Sequence, residues 1–376
     1  MSSTVIGIPT EIKTDERRVS LTPMAVGEIT SNGSQVVVQS GAGEGAGFGN
    51  NQYEKAGAKI VETAEDVFKE SKIIVKVKEP QEGERELLTS EHALFTYLHL
   101  AADKKQTEDL ISSNSTCIAF ETVTDDEGSL PLLTPMSAIA GRMSIQAGAH
   151  CLEAKQGGAG VLLAGAPGAE PGRVVVIGCG VVGSNAVEIA VGMGAEVIVL
   201  DRDQKTLDSI DEKYSGKVKT VFSNESDLVS EVLKADLTIG AVLLPGAKAP
   251  KLVNKEMVSE MKSGSVIVDV AIDQGGCVET ARPTTHSDPT FIVDEVVHYC
   301  VANMPGAVPR TATISLTNTI LPYVLTLASE GVKEALVSNP NFLNGLNIHA
   351  GQICESAVAE AHNLDYMDPT EALSRL

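Results

Sequence analysis

The sequence predicts an α/β protein of two doubly wound parallel-sheet domains, the second inserted into a discontinuous first. Three observations carry that reading. Short β-branched runs alternate with helical stretches along much of the chain, the pattern of a parallel sheet covered on both faces. The 376 residues suit two domains at about 150 residues each, and such a length can bury substantial cores. Near the middle, the apolar run Arg173-Val174-Val175-Val176-Ile177 enters Gly178-Cys179-Gly180-Val181-Val182-Gly183, followed by a helical stretch and Val197-Ile198-Val199-Leu200-Asp201.

The glycine turn is the most informative stretch. Gly178, Gly180 and Gly183 have G-x-G-x-x-G spacing. The first glycine makes the turn, the second lets backbone approach a pyrophosphate, and the third packs helix on strand. The helix N-terminus then faces the phosphates, and Asp201 can hold a ribose hydroxyl. Strand, turn, helix and terminal Asp agree, so a Rossmann domain binding a dinucleotide is expected over residues 131–304, with residues 1–130 and 305–376 forming the other domain.

The elements follow in order. Strands are expected at 5–8, 35–39, 58–61, 72–77, 93–98 and 116–120. Thr22-Pro23 opens a helix with a cap and a proline at its first position. Residues 41–49 are a glycine-rich loop with no helix directly after it, hence not a second dinucleotide turn. Residues 131–135 read as a linker, and a small-residue helix over about 137–156 reads as a closely packed hinge between domains. Six strands of the second domain are placed at about 173–177, 196–200, 218–222, 235–240, 265–270 and 290–293. A long apolar helix over about 311–329 contains Pro322, which predicts a kink or break. The last fifty or so residues read as helical and as returning to the first domain.

Composition narrows the function classes. The formal net charge is −21, which repels nucleic acid and anionic membrane, and the acidic residues are dispersed rather than gathered in a tail. Six cysteines are scattered without a C-x-x-C pair, which argues against a zinc or disulfide framework and for a reducing cytoplasm. Neither a signal peptide nor an apolar run long enough to span a membrane is expected.

Ligands of open α/β sheets bind beyond the carboxyl ends of the strands. Lys78, His99, Glu121, Asp201 and Asp273 stand at such ends. Lys76 and Lys78 alternate with Val75 and Val77, so both lysines point to one face. A buried cation needs a partner, and for Lys78 that partner is either a protein carboxylate such as Glu79 or a substrate carboxylate. Arg18 reads as a solvated loop residue, as loop charges usually are. His99 is either a satisfied core group or a proton carrier suited to neutral pH. Asp273 precedes two glycines on a turn, whereas Asp269 reads as a structural hydrogen-bonding residue. His286, His298, His349 and His362 show no ligand spacing, and no metal site is expected.

With these residues in view, the chain resembles alanine dehydrogenases over nearly its whole length. The matching blocks are Gly7-Ile8-Pro9-Thr10-Glu11-Ile12-Lys13 with Arg18-Val19, Lys76-Val77-Lys78-Glu79-Pro80, Phe95-Thr96-Tyr97-Leu98-His99, Pro135-Met136-Ser137, Asp269-Val270-Ala271-Ile272-Asp273-Gln274-Gly275-Gly276, Arg282-Pro283-Thr284-Thr285 and Val301-Ala302-Asn303-Met304-Pro305. The resemblance implies that Arg18 and Lys78 hold the substrate carboxylate and that His99 and Asp273 serve as acid–base groups. It also implies that Ser137, Asp201, Ser223, Val242, Leu243, Ile272, Asn303 and Met304 line the cofactor site. The cofactor is expected to be NAD, since Asp201 repels the extra phosphate of NADP although Arg202 follows it. Implied partners are L-alanine, pyruvate and ammonium, in a homohexamer. The four substrate and catalytic residues are expected to meet in a cleft between the domains. Alternatives are the NAD-binding component of a nicotinamide nucleotide transhydrogenase, an opine- or saccharopine-type dehydrogenase, and a non-enzymatic NAD(H)-binding protein. The run Leu133-Thr134-Pro135-Met136-Ser137 resembles alanine dehydrogenase rather than transhydrogenase.

Overall fold

The computed structural model describes residues 4–242 and 249–374. Its strands, in chain order, are β1 (Val5–Ile8), β2 (Gln35–Gln39), β3 (Lys59–Val61), β4 (Ile73–Val75), β5 (Ala93–Thr96), β6 (Thr116–Ala119), β7 (Arg173–Ile177), β8 (Glu196–Asp201), β9 (Val218–Phe222), β10 (Leu237–Gly240), β11 (Val266–Asp269), β12 (Thr290–Val293), β13 (Val296–Tyr299), β14 (Leu346–His349) and β15 (Gln352–Ile353). The chain divides into two compact units, Met1–Met136 with Val308–Leu376, and Ser137–Ala307.

The first unit holds a sheet of order β15-β14-β6-β5-β4-β1-β2-β3. Strands from β3 to β6 pair in parallel, with Ile6 in register with Val36 on one side and Ile73 on the other. The strand order therefore reverses between β1 and β4, which makes a switch point at their carboxyl ends. The C-terminal stretch corrects the helical expectation. β14 joins β6 antiparallel and β15 joins β14, while helices Ser356–His362 and Pro369–Ser374 follow. The run Leu-Asn-Ile-His is too short to show a period. Tertiary partners make it a strand: Asn347, 2 % exposed, donates from Nδ2 to Thr122 Oγ1 at 2.8 Å.

Helix Pro309–Glu330 passes through Pro322 without a break. Leu316, Ile320, Val324 and Leu327 are buried along it. At about 1.5–3 kcal/mol per buried aliphatic side chain, their burial outweighs the roughly 3 kcal/mol that an internal proline costs. The same helix braces the loop after β1. Val19 N–H and Thr22 N–H donate to Thr313 Oγ1 and Thr317 Oγ1, both at 3.1 Å. Thr22 caps helix Pro23–Ser31, as its proline signature predicts.

The second unit repeats the pattern with order β12-β13-β11-β10-β7-β8-β9 and a switch point between β7 and β10. Strand 290–293, expected as the sixth parallel strand, is instead an antiparallel edge strand, and β13 takes the parallel place beside β11. The turn between them has Asp294 and Glu295 at φ 47° and 62°. Two consecutive positive φ values make the primed hairpin turn that asparagine and glycine normally signal, which is why Asp-Glu concealed it. Helix Thr134–Cys151 starts inside the expected linker, with Pro135 in its first turn. Its small residues allow close packing. A Cβ on Gly141 would lie 2.1 Å from Val182 O, and one on Gly148 would lie 2.5 Å from Leu237.

Candidate functional site

In the second unit, the carboxyl end of β7 leads into helix Val181–Gly192 through the glycine turn. Gly178 has φ +86°, and its N–H donates to Leu200 O at 2.8 Å. A Cβ on Gly183 would stand 1.9 Å from Gly178 O, so helix and turn are in backbone contact. A Cβ on Gly180 would meet nothing within 4 Å, and no side chain caps the helix there. Open space over an uncapped helix N-terminus is the cradle a pyrophosphate needs. Asp201 closes it. Its Oδ2 accepts from Cys179 N at 2.6 Å and its Oδ1 from Asp203 N at 2.9 Å. Each oxygen keeps a lone pair for a ribose hydroxyl. Burial pushes the Cys179 thiol up to about 12, which suits a space-filling side chain.

The other cofactor candidates spread around this unit. Ser223 follows β9, and its N–H donates to Asp201 O at 2.8 Å. Val242 lies 2.8 Å from where a Gly178 Cβ would be. Leu243 lies outside the described residues. Ile272 and Asp273 sit in the 3-10 turn Val270–Gln274 after β11, with Ile272 buried and Asp273 exposed. Asn303 has φ 65°, its N–H lies 3.5 Å from Asp273 Oδ2, and Met304 beside it is buried. Ser137 begins this unit within helix Thr134–Cys151. Asp269 behaves as expected: it accepts from Ala271 N and Val278 N and holds the turn that carries Asp273.

In the first unit, Arg18, Lys78 and His99 follow β1, β4 and β5, three neighbouring strands around the switch point. The solvated reading of Arg18 is wrong, because it is 2 % exposed. Its Nε donates to Glu16 Oε1 at 2.7 Å, its Nη2 to Glu16 Oε2 at 2.5 Å, and its Nη1 to Met136 Sδ at 3.1 Å. Burial by itself would lower the guanidinium pKa, but the Glu16 hydrogen bonds and charge raise it above its ordinary value. A cavity of about 250 Å³ lies against Arg18, Glu16, Glu11 and Thr10.

Lys76 and Lys78 differ more than their alternation suggests. Lys76 is buried in an ion-paired cluster with Glu11 and Glu84. Lys78 is half-buried, and its carbonyl accepts from Thr96 Oγ1 at 3.0 Å. Lys78 stands close enough to Glu79 to help hold that carboxyl below its usual range. Burial works against this shift, and the Lys13 ion pair adds to it. Glu11, Glu16 and Glu84 are the partners the sequence reading missed. Glu16 could have been found from its place two residues before Arg18. The other two depend on tertiary contact.

His99 is held in a left-handed conformation, φ 51° and ψ 39°. For a residue other than glycine this costs of order 1–3 kcal/mol unless the surroundings enforce it. Here Glu121 enforces it. Its carboxylate accepts from His99 N at 2.6 Å and from Leu98 N at 3.1 Å, and it lies 3.7 Å from His99 Nδ1. Gln106 Nε2 donates to Leu98 O at 2.7 Å. The imidazole stacks on Tyr97 at 4° interplanar angle and stays half-exposed. Such a side chain is fixed in direction yet open to a ligand, unlike a core histidine. Of the remaining histidines, His298, His349, His286 and His362 all have hydrogen-bond partners in protein. Among the described residues no group of three or more His, Cys, Asp or Glu side chains could hold a metal ion, and no helix is long and apolar enough to cross a membrane.

The comparisons with known proteins fit this geometry. Residues 7–140 match the model described as alanine dehydrogenase/PNT, N-terminal domain, and residues 144–356 match alanine dehydrogenase/PNT, C-terminal domain. The chain belongs to the alanine dehydrogenase/PNT family. The C-terminal family match runs past Ala307 into residues that pack in the first unit. An alanine dehydrogenase of Halomonas elongata is 54% identical over 96% of this family member and 98% of its own length. One of Methanococcus maripaludis is 52% identical over 98% and 100%. A solved L-alanine dehydrogenase superposes with TM-score 0.93 at 49% identity, covering 96% of this chain and 99% of that one. A transhydrogenase from Sinorhizobium meliloti shares the fold, with TM-score 0.82 at 22% identity over 93% and 99%.

Proposed function

We propose that the chain catalyses NAD-dependent oxidative deamination of L-alanine to pyruvate and ammonia, and the reverse reductive amination. The observation that carries this reading is the 54% identity to an alanine dehydrogenase over 96% of the chain, against 22% for the transhydrogenase structure. Each unit supports it separately: two cations and a half-exposed histidine follow strands of the first, and a glycine cradle follows a strand of the second.

In this reading residues 131–304 form the NAD-binding domain, and residues 1–130 with 305–376 form the substrate domain. Gly178, Gly180 and Gly183 receive the pyrophosphate, and Asp201 takes the ribose. Ser137, Ser223, Val242, Leu243, Ile272, Asn303 and Met304 line the rest. NAD(H), when bound, accepts or supplies the hydride. Arg18 and Lys78 hold the substrate carboxylate and so orient Cα, positioning worth up to about 7–11 kcal/mol of a barrier. The amine must shed a proton before its lone pair can assist hydride departure. Loss of hydride leaves an iminium, water adds to its carbon, and the carbinolamine collapses to pyruvate and ammonia. Amine deprotonation, water addition and carbinolamine collapse each move a proton at nitrogen or oxygen, and His99 and Asp273 carry those protons.

The assembly proposed is a cytoplasmic homohexamer, which light scattering on the purified chain tests. The reaction is tested by following NADH absorbance with pyruvate and ammonium. Consumption of NADH that requires both supports it. Hydride exchange between nucleotides without either would replace it with the transhydrogenase reading.

A further inference from the structure

Lys78 is framed by groups that the proposed chemistry never touches. Lys76, two residues earlier, is 1 % exposed. Its ammonium donates to Glu84 Oε1 at 2.6 Å and to Glu11 Oε2 at 3.1 Å. Each carboxylate commits its other oxygen to a backbone N–H, one residue before Lys78 for Glu11 and three residues after it, at the helix N-cap, for Glu84. Val77 N–H donates to Glu11 Oε1 at 2.6 Å, and Gln81 N–H donates to Glu84 Oε2 at 2.8 Å. The backbone on both sides of Lys78 is thus tied, through two carboxylates, to one buried ammonium. The cluster joins three separate pieces of chain: the loop after β1, the end of β4, and helix Glu82–Arg85.

As a source of stability, such a cluster is a weak device. Well-packed apolar side chains of similar volume are commonly as stabilising as a buried ion pair, because desolvation offsets the Coulomb attraction. What charged groups supply here and apolar ones cannot is direction. A carboxylate with one oxygen on Lys76 and the other on a backbone N–H fixes where that N–H lies. Glu11 also stands near enough to Arg18 for its charge to act on that guanidinium as well as on Lys76.

We propose that Lys76, held by Glu11 and Glu84, is a positioning residue that sets the Lys78 ammonium in place for the substrate carboxylate. The proposal rests on the assignment of Lys78 to that carboxylate. It makes the pair Lys76 and Lys78 a division of labour, the first cation fixed inside and the second presented to the ligand.

The test is a double-mutant cycle in the full-length chain, with Lys76→Met, Lys78→Ala and the combination. Parent activity with pyruvate and ammonium reports on the proposed reaction separately, and the variants are compared only with that parent. Lys76→Met is expected to raise the pyruvate KM about 10- to 100-fold, the range that misplacement of a positioning group produces. Its NADH Kd should stay within about twofold. Because Lys76 acts through Lys78, adding Lys76→Met to Lys78→Ala should raise KM no further. An unchanged pyruvate KM in Lys76→Met, or KM effects that multiply in the double variant, would overturn the proposal. Should Lys76→Met fail to fold, Glu84→Gln takes its place in the cycle. It keeps an acceptor for Gln81 N–H while removing the charge that holds Lys76, and it is judged on the same outcomes.

Discussion

The two sheets share a central strand order, yet the ends of their middle strands are furnished in opposite ways. Beyond β7 stand glycines, a single carboxylate and a helix terminus that no side chain caps. Beyond β1 and β4 stand buried cations, each matched by carboxylates. On the proposed assignments, the difference follows from ligand size and charge. A pyrophosphate is large and can be cradled by backbone, provided no Cβ intervenes. A small carboxylate offers two oxygens, and forked or pointed cations recognise it best. Cations held out of water need counter-charges in place beforehand, so the first switch point has a protein-built ionic frame and the second needs none.

If this division is right, substitutions at the first switch point change substrate parameters and those at the second change nucleotide parameters. The largest effects should come from the two proposed proton carriers, one in each unit. His99→Ala and Asp273→Ala are each expected to lose at least about 10²-fold in kcat while NADH still binds, as fluorescence titration would show. Near-parental turnover in either would remove that residue from the mechanism. Next comes Lys78→Ala, expected to raise the pyruvate KM by about tenfold or more with little change in NADH Kd, since it deletes a charge-assisted contact. If the NADH Kd moved instead, the division between the two switch points would collapse.

The glycines separate folding from binding within the second unit. Gly183→Ala forces a Cβ to within 1.9 Å of Gly178 O and should lower Tm, by an amount corresponding to roughly 1–3 kcal/mol of overpacking. Gly180→Ala meets open space at an ordinary φ of −68° and should leave Tm nearly unchanged. It should still weaken NADH about tenfold, because its Cβ enters the space proposed for the pyrophosphate. Parental NADH affinity in Gly180→Ala would move the phosphates elsewhere.

The smallest expected effect treats the two units alike. Burial holds His298 on β13 and His349 on β14 below the ordinary histidine value of 6.5. Their folded pKa is depressed, so the unfolded chain takes up protons first as pH falls. Stability should be full above about pH 6.5 and decline below it, by around 1 kcal/mol per histidine for each unit of pKa depression. His298→Gln should flatten that acid limb in a Tm-against-pH series. An unchanged slope would show that other groups set it.

Local chemistry made much of this legible in the amino-acid sequence. The glycine spacing, the strand before it and Asp201 after it define a turn whose conformation is intrinsic to glycine. Central parallel strands such as β4, β7 and β11 announced themselves as β-branched runs, because strands buried on both faces are apolar. Thr22-Pro23 announced a helix start for the same local reason. Where tertiary contact decides, the sequence was silent or misleading. Strand β14 is a strand because β6 offers it an edge, and β13 took the sixth parallel place because Asp294 and Glu295 accept positive φ in a turn that the residue types do not advertise. Pro322 did not interrupt its helix because buried side chains on both sides outweigh it. Above all, Arg18 looked like a loop charge, and Lys76 was read only as sharing a face with Lys78. Their meaning depends on Glu16, Glu11 and Glu84, and on distances of a few ångströms across elements far apart in the chain. Electrostatic pairing depends on separation in space, which residue order does not encode by itself.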